Sequence, residues 1–232
     1  SAASDVYKRR VSGIIYAKNF LQANPGKRAA VIAVEAPTAT FQLEDFSMSN
    51  MVSAAIFGDG AACCLLSSDE SDNGPVIIDQ EMYHFYDAED IMGFKLTNSG
   101  MQMILDVEVP NVIASHFDAV INPFLKKNQL KIKDIDYMIF HPGGKKIIAT
   151  IEDIFAEFDK DIEDTKAVLA QYGNMSSATV LYVLERIMKR SPQVGELGLM
   201  LSFGPGFSAQ RVLLQWYCLL YTSDAADEGL GV

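Results

Sequence analysis

The sequence predicts a layered α/β fold, and three observations lead to this prediction. Short apolar runs of strand length recur at Ala29–Ala36, Ala61–Leu66 and Ile135–Phe140. Longer segments with apolar residues at helical spacing, such as Val109–Lys126, lie between such runs. Turn signals rich in Gly, Pro and Asn mark many of the boundaries. Helices that alternate with buried strands are typical of proteins in which helices cover the faces of a sheet.

In the first half of the chain, the same patterns predict two helices and three strands. In chain order these are a helix over Val11–Asn24, a strand over Ala29–Ala36, a helix over Asp45–Ile56, and strands over Ala61–Leu66 and Val76–Tyr86. The two alanine-rich strands are nearly all apolar, so we expect both of their faces to be buried. Asn24-Pro25-Gly26 is a turn signal that ends the first helix, and Gly58-Asp59-Gly60 predicts a tight turn before the second strand.

In the second half, the patterns predict four helices and three strands. The helices cover Val109–Lys126, Lys145–Phe158, Asp164–Gln171 and Met175–Arg190, and the strands cover Ile135–Phe140, Leu197–Phe203 and Ser208–Trp216. Pro110 falls in the first turn of its helix, where proline is tolerated. Gly204-Pro205-Gly206-Phe207 joins the last two strands and predicts a hairpin.

Composition excludes several classes of function. The 232 residues include 19 basic and 30 acidic side chains, which give a net charge of −11. Binding to nucleic acid or to an anionic membrane needs clustered Lys and Arg, so we expect neither partner. No apolar run approaches the roughly 20 residues of a membrane span. Three Cys cannot form a disulfide framework, so a reducing, cytoplasmic setting is expected. Metal-binding spacings of Cys and His do not occur, so we predict no metal site.

Three loops occupy one kind of position in this plan, the end of a buried strand or the start of a helix. They are Phe57–Gly60, His141–Gly144 and Gly173–Ala178. In layered α/β proteins, ligands bind at the carboxyl ends of strands, and catalytic residues collect in the loops there. These loops therefore contain the candidate functional residues.

Each candidate side chain has a functional and a structural interpretation. His141 is either a hydrogen-bond donor to a carbonyl and a partner of a thiolate, or a core or helix-capping residue. Asn174 is either an amide that stabilises an oxyanion together with His141, or a plain helix N-cap. Phe57 is either a site aromatic or a core residue. Cys63 and Cys64 lie in an apolar run without a nearby positive charge, which is typical of inert thiols.

Taken together, four segments resemble the type III polyketide synthases, the chalcone and stilbene synthase-like enzymes of the thiolase superfamily. In family order and at similar spacing they are Ile56–Ala62, Phe140–Gly144, Tyr172–Ala178 and Phe203–Gly206. The nearest rival, β-ketoacyl-carrier-protein synthase III, typically has His-Gln-Ala-Asn and Gly-Asn-Thr-Ser where this chain has His-Pro-Gly-Gly and Gly-Asn-Met-Ser. The resemblance implies a thiolase-like αβαβα fold that is incomplete at its N-terminus.

The resemblance also implies an acyltransferase with a Cys-His-Asn site. In such enzymes a cysteine takes an acyl group from coenzyme A, malonyl-CoA loses carbon dioxide, and the resulting enolate condenses with the bound acyl group. His141 and Asn174 match the catalytic pair that donates to the thioester oxygen, and Phe57 matches an aromatic at the junction of tunnel and cavity. The implied partners are acyl-CoA and malonyl-CoA, with no cofactor beyond these thioesters and a homodimer as the full-length assembly.

The resemblance places further residues at the substrate cavity. Thr40 matches a cavity-lining position, and Met103 stands where the family has a substrate-gating aromatic. Gly204, Pro205 and Gly206 match a loop that bounds the cavity. These matches predict substrate-binding roles for all five residues.

Both ends of the chain resemble translations of one sequencing adapter, read on opposite strands. We therefore expect residues 1–10 and 218–232 to be non-native and the remainder to be a metagenomic fragment. Residues 11–95 are expected to form the latter part of an N-terminal thiolase-like half, and residues 96–217 a C-terminal thiolase-like half. An ungapped match places the family's nucleophilic Cys near Tyr7, where no Cys is present.

On that basis we predict an inactive chain whose full-length parent is an active enzyme. Two other classes of protein are also consistent with the sequence. One is a non-catalytic thiolase-fold protein that binds acyl-CoA or only dimerises. The other is a generic α/β module in which Asn174 is a cap and His141 a core residue.

Overall fold

The computed structural model describes residues 11–217, except 70, 71, 73, 87, 89 and 99. The two adapter-like ends lie outside the described residues. The described helices are α1 (Ser12–Ala23), α2 (Met48–Ile56), α3 (Val109–Lys127), α4 (Lys145–Ala156), α5 (Glu163–Tyr172) and α6 (Thr179–Met188). The described strands are β1 (Arg28–Glu35), β2 (Gly60–Ser67), β3 (Gly74–His84), β4 (Met92–Thr97), β5 (Gly100–Leu105), β6 (Tyr137–Phe140), β7 (Leu197–Gly204) and β8 (Ser208–Tyr217).

A four-stranded mixed sheet lies at the centre, with the strand order β3-β8-β7-β6. Strand β6 pairs in parallel with β7, while β7 and β3 both pair antiparallel with β8. Two smaller antiparallel sheets are formed by β1 with β2 and by β4 with β5. Strand β6 is an edge strand of this sheet, and His141, which directly follows it, is nevertheless buried.

Alternating residues of the central sheet face two hydrophobic cores. Leu199, Leu201 and Leu213 pack under α3 and α4 on one face. Met200 and Val212 face the other way, where α1 and α6 fill the space between this sheet and the β1–β2 sheet. Because neighbouring strand residues point to opposite faces, each strand serves both cores. The layers therefore follow the order helix, sheet, helix, sheet, which agrees with the predicted α/β layering.

The β1–β2 sheet differs from the prediction, because only one of its faces is buried. Ile32, Val34 and Leu65 are 69%, 71% and 75% exposed on its outer face. Within the described residues, no helix layer covers that face. The apolar runs predicted strands correctly but not their burial, since burial depends on what packs against a strand as well as on its own residues.

Three local differences also separate prediction and structure. Helix α2 begins at Met48 rather than Asp45, because the Ser47 hydroxyl accepts the Asn50 N–H at 3.3 Å and caps it. Between the end of α5 and α6, a short 3-10 turn over Ser176–Ala178 replaces the predicted first turn of a long helix. The β4–β5 hairpin was not predicted.

No helix in the described part of the chain is long and apolar enough to cross a membrane.

Candidate active site

His141 directly follows β6 and is buried, with 2% of its surface exposed. Its backbone N–H donates to the Leu201 carbonyl at 3.0 Å, which extends the β6–β7 pairing by one residue. The Thr165 hydroxyl of α5 donates to the Phe140 carbonyl at 2.9 Å and fixes the strand end from the other side. At Gly143, a Cβ atom would lie 2.6 Å from Ile147 Cδ1, the flexible end of a side chain on α4, so the loop after His141 runs close to α4.

Asn174 lies on a backbone that is locked against the end of α2. Its N–H donates to the Ile56 carbonyl at 2.9 Å, and its carbonyl accepts the Gly58 N–H at 3.1 Å. These bonds form an isolated parallel bridge between Phe57 and Asn174. Gly173 just before it has φ +72°, and a Cβ atom there would lie 2.9 Å from the Ile56 carbonyl oxygen. Glycine is therefore required both for the conformation and for the close approach.

The side-chain amide of Asn174 joins this segment to the His141 loop. Its Nδ2 donates to the Gly143 carbonyl at 3.1 Å, and its Oδ1 accepts the Ser176 N–H at 2.9 Å. A flipped amide would set oxygen against oxygen and N–H against N–H, so the two bonds fix its orientation. An amide nitrogen carries two N–H groups, and the contacts among the described residues use one of them.

Glu35, at the end of β1, holds the turn that follows Asn174. Its Oε1 accepts hydrogen bonds from the Ser177 N–H at 3.3 Å and from the Ser177 hydroxyl. Ser176, between Asn174 and Ser177, adopts φ +51°, which is unusual for a residue other than glycine. The contact between Glu35 and Ser177 spans 142 residues and has no local sequence signal.

A cavity of about 280 Å³ lies beside Phe57, between the end of α2 and the 3-10 turn Pro37–Thr40. It is lined by Pro37, Thr38, Thr40, Phe41, Asn50, Ser53, Ala54 and Phe57. The structure therefore places two of the sequence-predicted residues, Thr40 and Phe57, on one cavity wall. The polar Thr38, Asn50 and Ser53 were missed, because nothing in a helix pattern distinguishes a cavity-facing polar residue from a solvent-facing one.

The other predicted substrate residues are Gly204, Pro205, Gly206 and Met103. Gly204 is the last residue of β7, and Pro205 and Gly206 belong to the turn that leads to β8; none of the three is among the described lining residues of this cavity. The Gly206 N–H donates to the Met92 carbonyl at 3.4 Å, so the turn touches the base of the β4–β5 hairpin. Met103 belongs to β5, and its side chain lies outside the described part of the structure. Substrate-binding roles for these four residues stay predictions.

The two described cysteines do not have the features of a nucleophile. Cys63 lies on the exposed outer face of the β1–β2 sheet. Cys64 faces inward, and burial raises the pKa of its thiol above the ordinary value. A raised thiol pKa disfavours the reactive thiolate. In the described ranges, no group of three or more His, Cys, Asp or Glu side chains could hold a metal ion.

Asp59 fixes the cavity wall from the Gly-Asp-Gly turn. Its carboxylate accepts the Thr38 hydroxyl and, at 3.0 Å, the Thr38 N–H. These two hydrogen bonds hold the pKa of Asp59 below the ordinary aspartate value, and the bond from the Thr38 hydroxyl has the larger effect. When the pKa of a carboxyl is lower in the folded state than in the unfolded state, the ionised carboxylate stabilises the folded protein at pH values above the unfolded-state pKa. This stabilisation is lost as the pH falls through the folded-state pKa.

We expect Asp59→Asn to remove this pH-dependent contribution. Between about pH 5 and pH 3, the free energy of unfolding should therefore fall less steeply in the variant than in the unmodified chain. Urea unfolding at several pH values measures both slopes. Asp153→Asn, on the exposed face of α4, is the control and should keep the steeper slope. Equal slopes for Asp59→Asn and the unmodified chain would contradict the assignment.

Comparisons with known proteins agree with the resemblance noted in the sequence. The family described as chalcone and stilbene synthases, C-terminal domain, matches residues 79–217, and 3-oxoacyl-(acyl-carrier-protein) synthase III matches residues 10–84. The 1,3,6,8-tetrahydroxynaphthalene synthase of Streptomyces peucetius subsp. caesius is 34% identical over 203 residues, which cover 85% of this chain and 54% of that protein.

Two crystal structures are similar in fold. PKS-I from the brown alga Ectocarpus siliculosus aligns with a TM-score of 0.79 and 31% identity, over 89% of this chain and 57% of that one. The 1,3,6,8-tetrahydroxynaphthalene synthase of Streptomyces coelicolor is a bacterial type III polyketide synthase. It aligns with a TM-score of 0.83 and 25% identity, over 90% of this chain and 60% of that one. These likenesses confirm the predicted thiolase-like fold. The chain spans a little over half the length of these relatives.

Proposed function

The chain belongs to the chalcone and stilbene synthase family, the type III polyketide synthases, and we propose that it supplies the anion-stabilising pair for a decarboxylative condensation with malonyl-CoA. The observation that carries the proposal is the Asn174 amide, which lies 3.1 Å from the Gly143 carbonyl in the loop that begins at His141. In this proposal, Asn174 and His141 are catalytic residues that face one reacting oxygen. The acyl-CoA starter and malonyl-CoA are the ligands.

The proposed reaction uses the same two donors twice. When a cysteine thiolate attacks the acyl-CoA carbonyl, the electron pair of the C=O bond moves to oxygen, and N–H donors from His141 and Asn174 stabilise that oxyanion. The intermediate then collapses and releases the coenzyme A thiolate. In malonyl-CoA, the bond to the carboxylate breaks, carbon dioxide leaves, and the electron pair passes into an enolate whose oxygen accepts the same donors.

Condensation completes the cycle. The enolate carbon attacks the acyl-cysteine carbonyl, a carbon–carbon bond forms, and the cysteine thiolate leaves. Fixed donors cost no reorganisation as the charge develops, which is why the two bonds that orient the Asn174 amide matter. Exclusion of water protects the enolate from protonation, so the buried positions of His141 and Asn174 favour this chemistry.

The nucleophile is proposed to come from outside the present chain. The 232 residues have no Cys near α1, and Cys64 has a raised thiol pKa. We use the term "longer protein" for this chain joined to a segment that precedes Val11 and carries that Cys, as the greater length of the relatives suggests. We propose that the longer protein acts as a homodimer in the reducing cytoplasm, where a thiolate persists.

The test is product formation from radiolabelled malonyl-CoA and an acyl-CoA starter. We expect no condensed product from the 232-residue chain, because the acyl-holding thiol is absent. We expect labelled polyketide from the longer protein under the same conditions. Condensed product from the 232-residue chain would contradict the assignment of the nucleophile.

A second candidate, a β-ketoacyl-carrier-protein synthase III-like enzyme, is favoured by the match over residues 10–84. It differs in the carrier of the malonyl group, which would be an acyl-carrier protein rather than coenzyme A. Supplying the longer protein with each malonyl thioester separately distinguishes the two. Turnover only with the carrier-protein thioester would favour the second candidate.

A further inference from the structure

In the described part of the structure, the β4–β5 hairpin joins neither the central sheet nor the β1–β2 sheet. Its two strands pair only with each other and with no other described strand. A two-stranded hairpin is marginally stable by itself, so its position depends on tertiary contacts. At its base, the Asp106 N–H donates to the Ile91 carbonyl at 2.9 Å, and Met92 accepts from Gly206. At its tip, Leu96 is 81% exposed.

The hairpin packs against elements that line the cavity. Strand β5 contacts both α2 and the 3-10 turn Pro37–Thr40. We define the wall segment as residues 37–47, which include this turn and lead into α2. A Cβ atom at Gly100 would lie 3.1 Å from Gln42 Nε2, so the hairpin turn abuts the wall segment there. Movement of the hairpin therefore changes what supports the cavity wall.

Asp45 connects the two parts. One carboxylate oxygen accepts the Gln102 side-chain amide of β5 at 3.0 Å, and the other accepts the Ser47 N–H at 2.8 Å. The Asp45 carbonyl accepts the Asn50 side-chain amide at 2.6 Å. Asn50 lines the cavity and also donates to the Gln42 carbonyl at 2.8 Å. One residue thus ties the hairpin, the wall segment and a cavity-lining side chain together.

The charge state of Asp45 suits this role. Hydrogen bonds hold the pKa of its carboxyl below the ordinary value. The largest effect comes from the Ser47 N–H, followed by the Ser47 hydroxyl and then the Gln102 amide. The carboxylate is therefore ionised at neutral pH. Hydrogen bonds to an ionised acceptor are stronger than those between neutral groups.

We propose that Asp45 is a positioning residue that determines acyl-chain specificity, because its bond to Gln102 fastens the β4–β5 hairpin against the cavity wall. This inference rests on the proposed function, since it takes the cavity beside Phe57 as the acyl site. Loss of the bond frees the hairpin, widens the cavity and favours longer acyl chains over short ones. The Asp45–Gln102 pair thus limits the length of the acyl group that the site accepts.

Two measurements on the 232-residue chain test the inference. Hydrogen exchange reports the opening of the hairpin, and calorimetric titration gives the affinity ratio of dodecanoyl-CoA to acetyl-CoA. Asp45→Ala and Gln102→Ala are each expected to speed exchange over residues 92–105 about five- to tenfold, as for loss of one net hydrogen bond. Both should raise the affinity ratio by a similar factor, while exchange in β7 and β8 stays unchanged.

Matched variants separate this role from a general loss of stability. Asp118→Ala removes another aspartate–amide bond, that with Asn122 at 3.2 Å on the surface of α3, and should change neither readout. Asp45→Asn keeps an acceptor for Gln102 and should restore most of the unmodified affinity ratio. Gln102→Ala keeps the Asp45 bonds within the wall segment, so it tests the pair even if Asp45→Ala does not fold.

The possible outcomes are distinct. Unchanged hairpin exchange in both alanine variants overturns the inference. Faster exchange with an unchanged affinity ratio overturns the specificity role. An unmodified chain that binds neither thioester contradicts the proposed acyl-CoA site and the specificity role with it, while exchange still shows whether Asp45 fastens the hairpin.

Discussion

Replacement of Asn174 by alanine is expected to lower condensation by the longer protein about 10²–10³-fold, as for loss of one oxyanion donor. The amide presents a buried N–H whose direction is fixed by the Gly143 carbonyl and the Ser176 N–H. Alanine removes this donor at both stages of the reaction, where charge develops on the thioester oxygen. Initial rates of labelled product formation from malonyl-CoA measure the effect.

A control is needed because the same substitution also weakens the fold. Removing the amide leaves two backbone groups, the Gly143 carbonyl and the Ser176 N–H, without their partner, at about 1–3 kcal/mol for each buried group. Rates are therefore compared at a temperature at which circular dichroism shows the variant folded. Asn122→Ala, on the exposed surface of α3, should keep the full rate. A rate for folded Asn174→Ala close to that of Asn122→Ala would exclude a catalytic role.

The second large effect is expected on stability, from Gly173→Ala. A residue other than glycine at φ +72° is strained, and the new Cβ would lie 2.9 Å from the Ile56 carbonyl oxygen. Because both obstacles are backbone features, they cannot relax by rotation of a side chain. We expect a loss of about 3 kcal/mol or more in the free energy of unfolding, measured by urea denaturation.

Gly26→Ala is a matched control for this effect. Gly26 has φ +74°, almost the value of Gly173, but a Cβ atom there meets nothing within 4 Å among the described residues. The control gives the conformational cost of a turn glycine at this φ, about 1–2 kcal/mol. The excess loss at Gly173 measures the close approach of the Asn174 segment to the end of α2 together with the ψ of −165° at Gly173, a backbone region that is essentially confined to glycine. Equal losses at both glycines would show that this approach is not tight.

The helices and strands could largely be predicted from sequence because their apolar periodicity is local. The β4–β5 hairpin was missed because Met92–Leu105 mixes polar, apolar and glycine residues without a clean alternation. Its turn signal, Asn98-Ser99-Gly100, was present and could have revealed it. Burial of the β1–β2 sheet could not be predicted, since a strand's sequence does not say how many layers cover it.

The candidate site was predictable as a set of loops but not as a geometry. Strand ends and glycine turns identified His141 and Asn174, and the structure joins their loops through the Gly143 carbonyl. The supporting contacts were not predictable. Glu35 with Ser177 and Asp45 with Gln102 are 142 and 57 residues apart, and such pairs arise only when separate elements pack.

The catalytic roles of His141 and Asn174 are tested on the longer protein, obtained by recovering the contiguous gene upstream of Val11. Its product from an acyl-CoA and radiolabelled malonyl-CoA is compared with the products of its His141→Ala and Asn174→Ala variants. We expect labelled polyketide from the unmodified protein and a loss of about 10²–10³-fold in each variant. No condensed product from the unmodified protein, or full product from both variants, would contradict it.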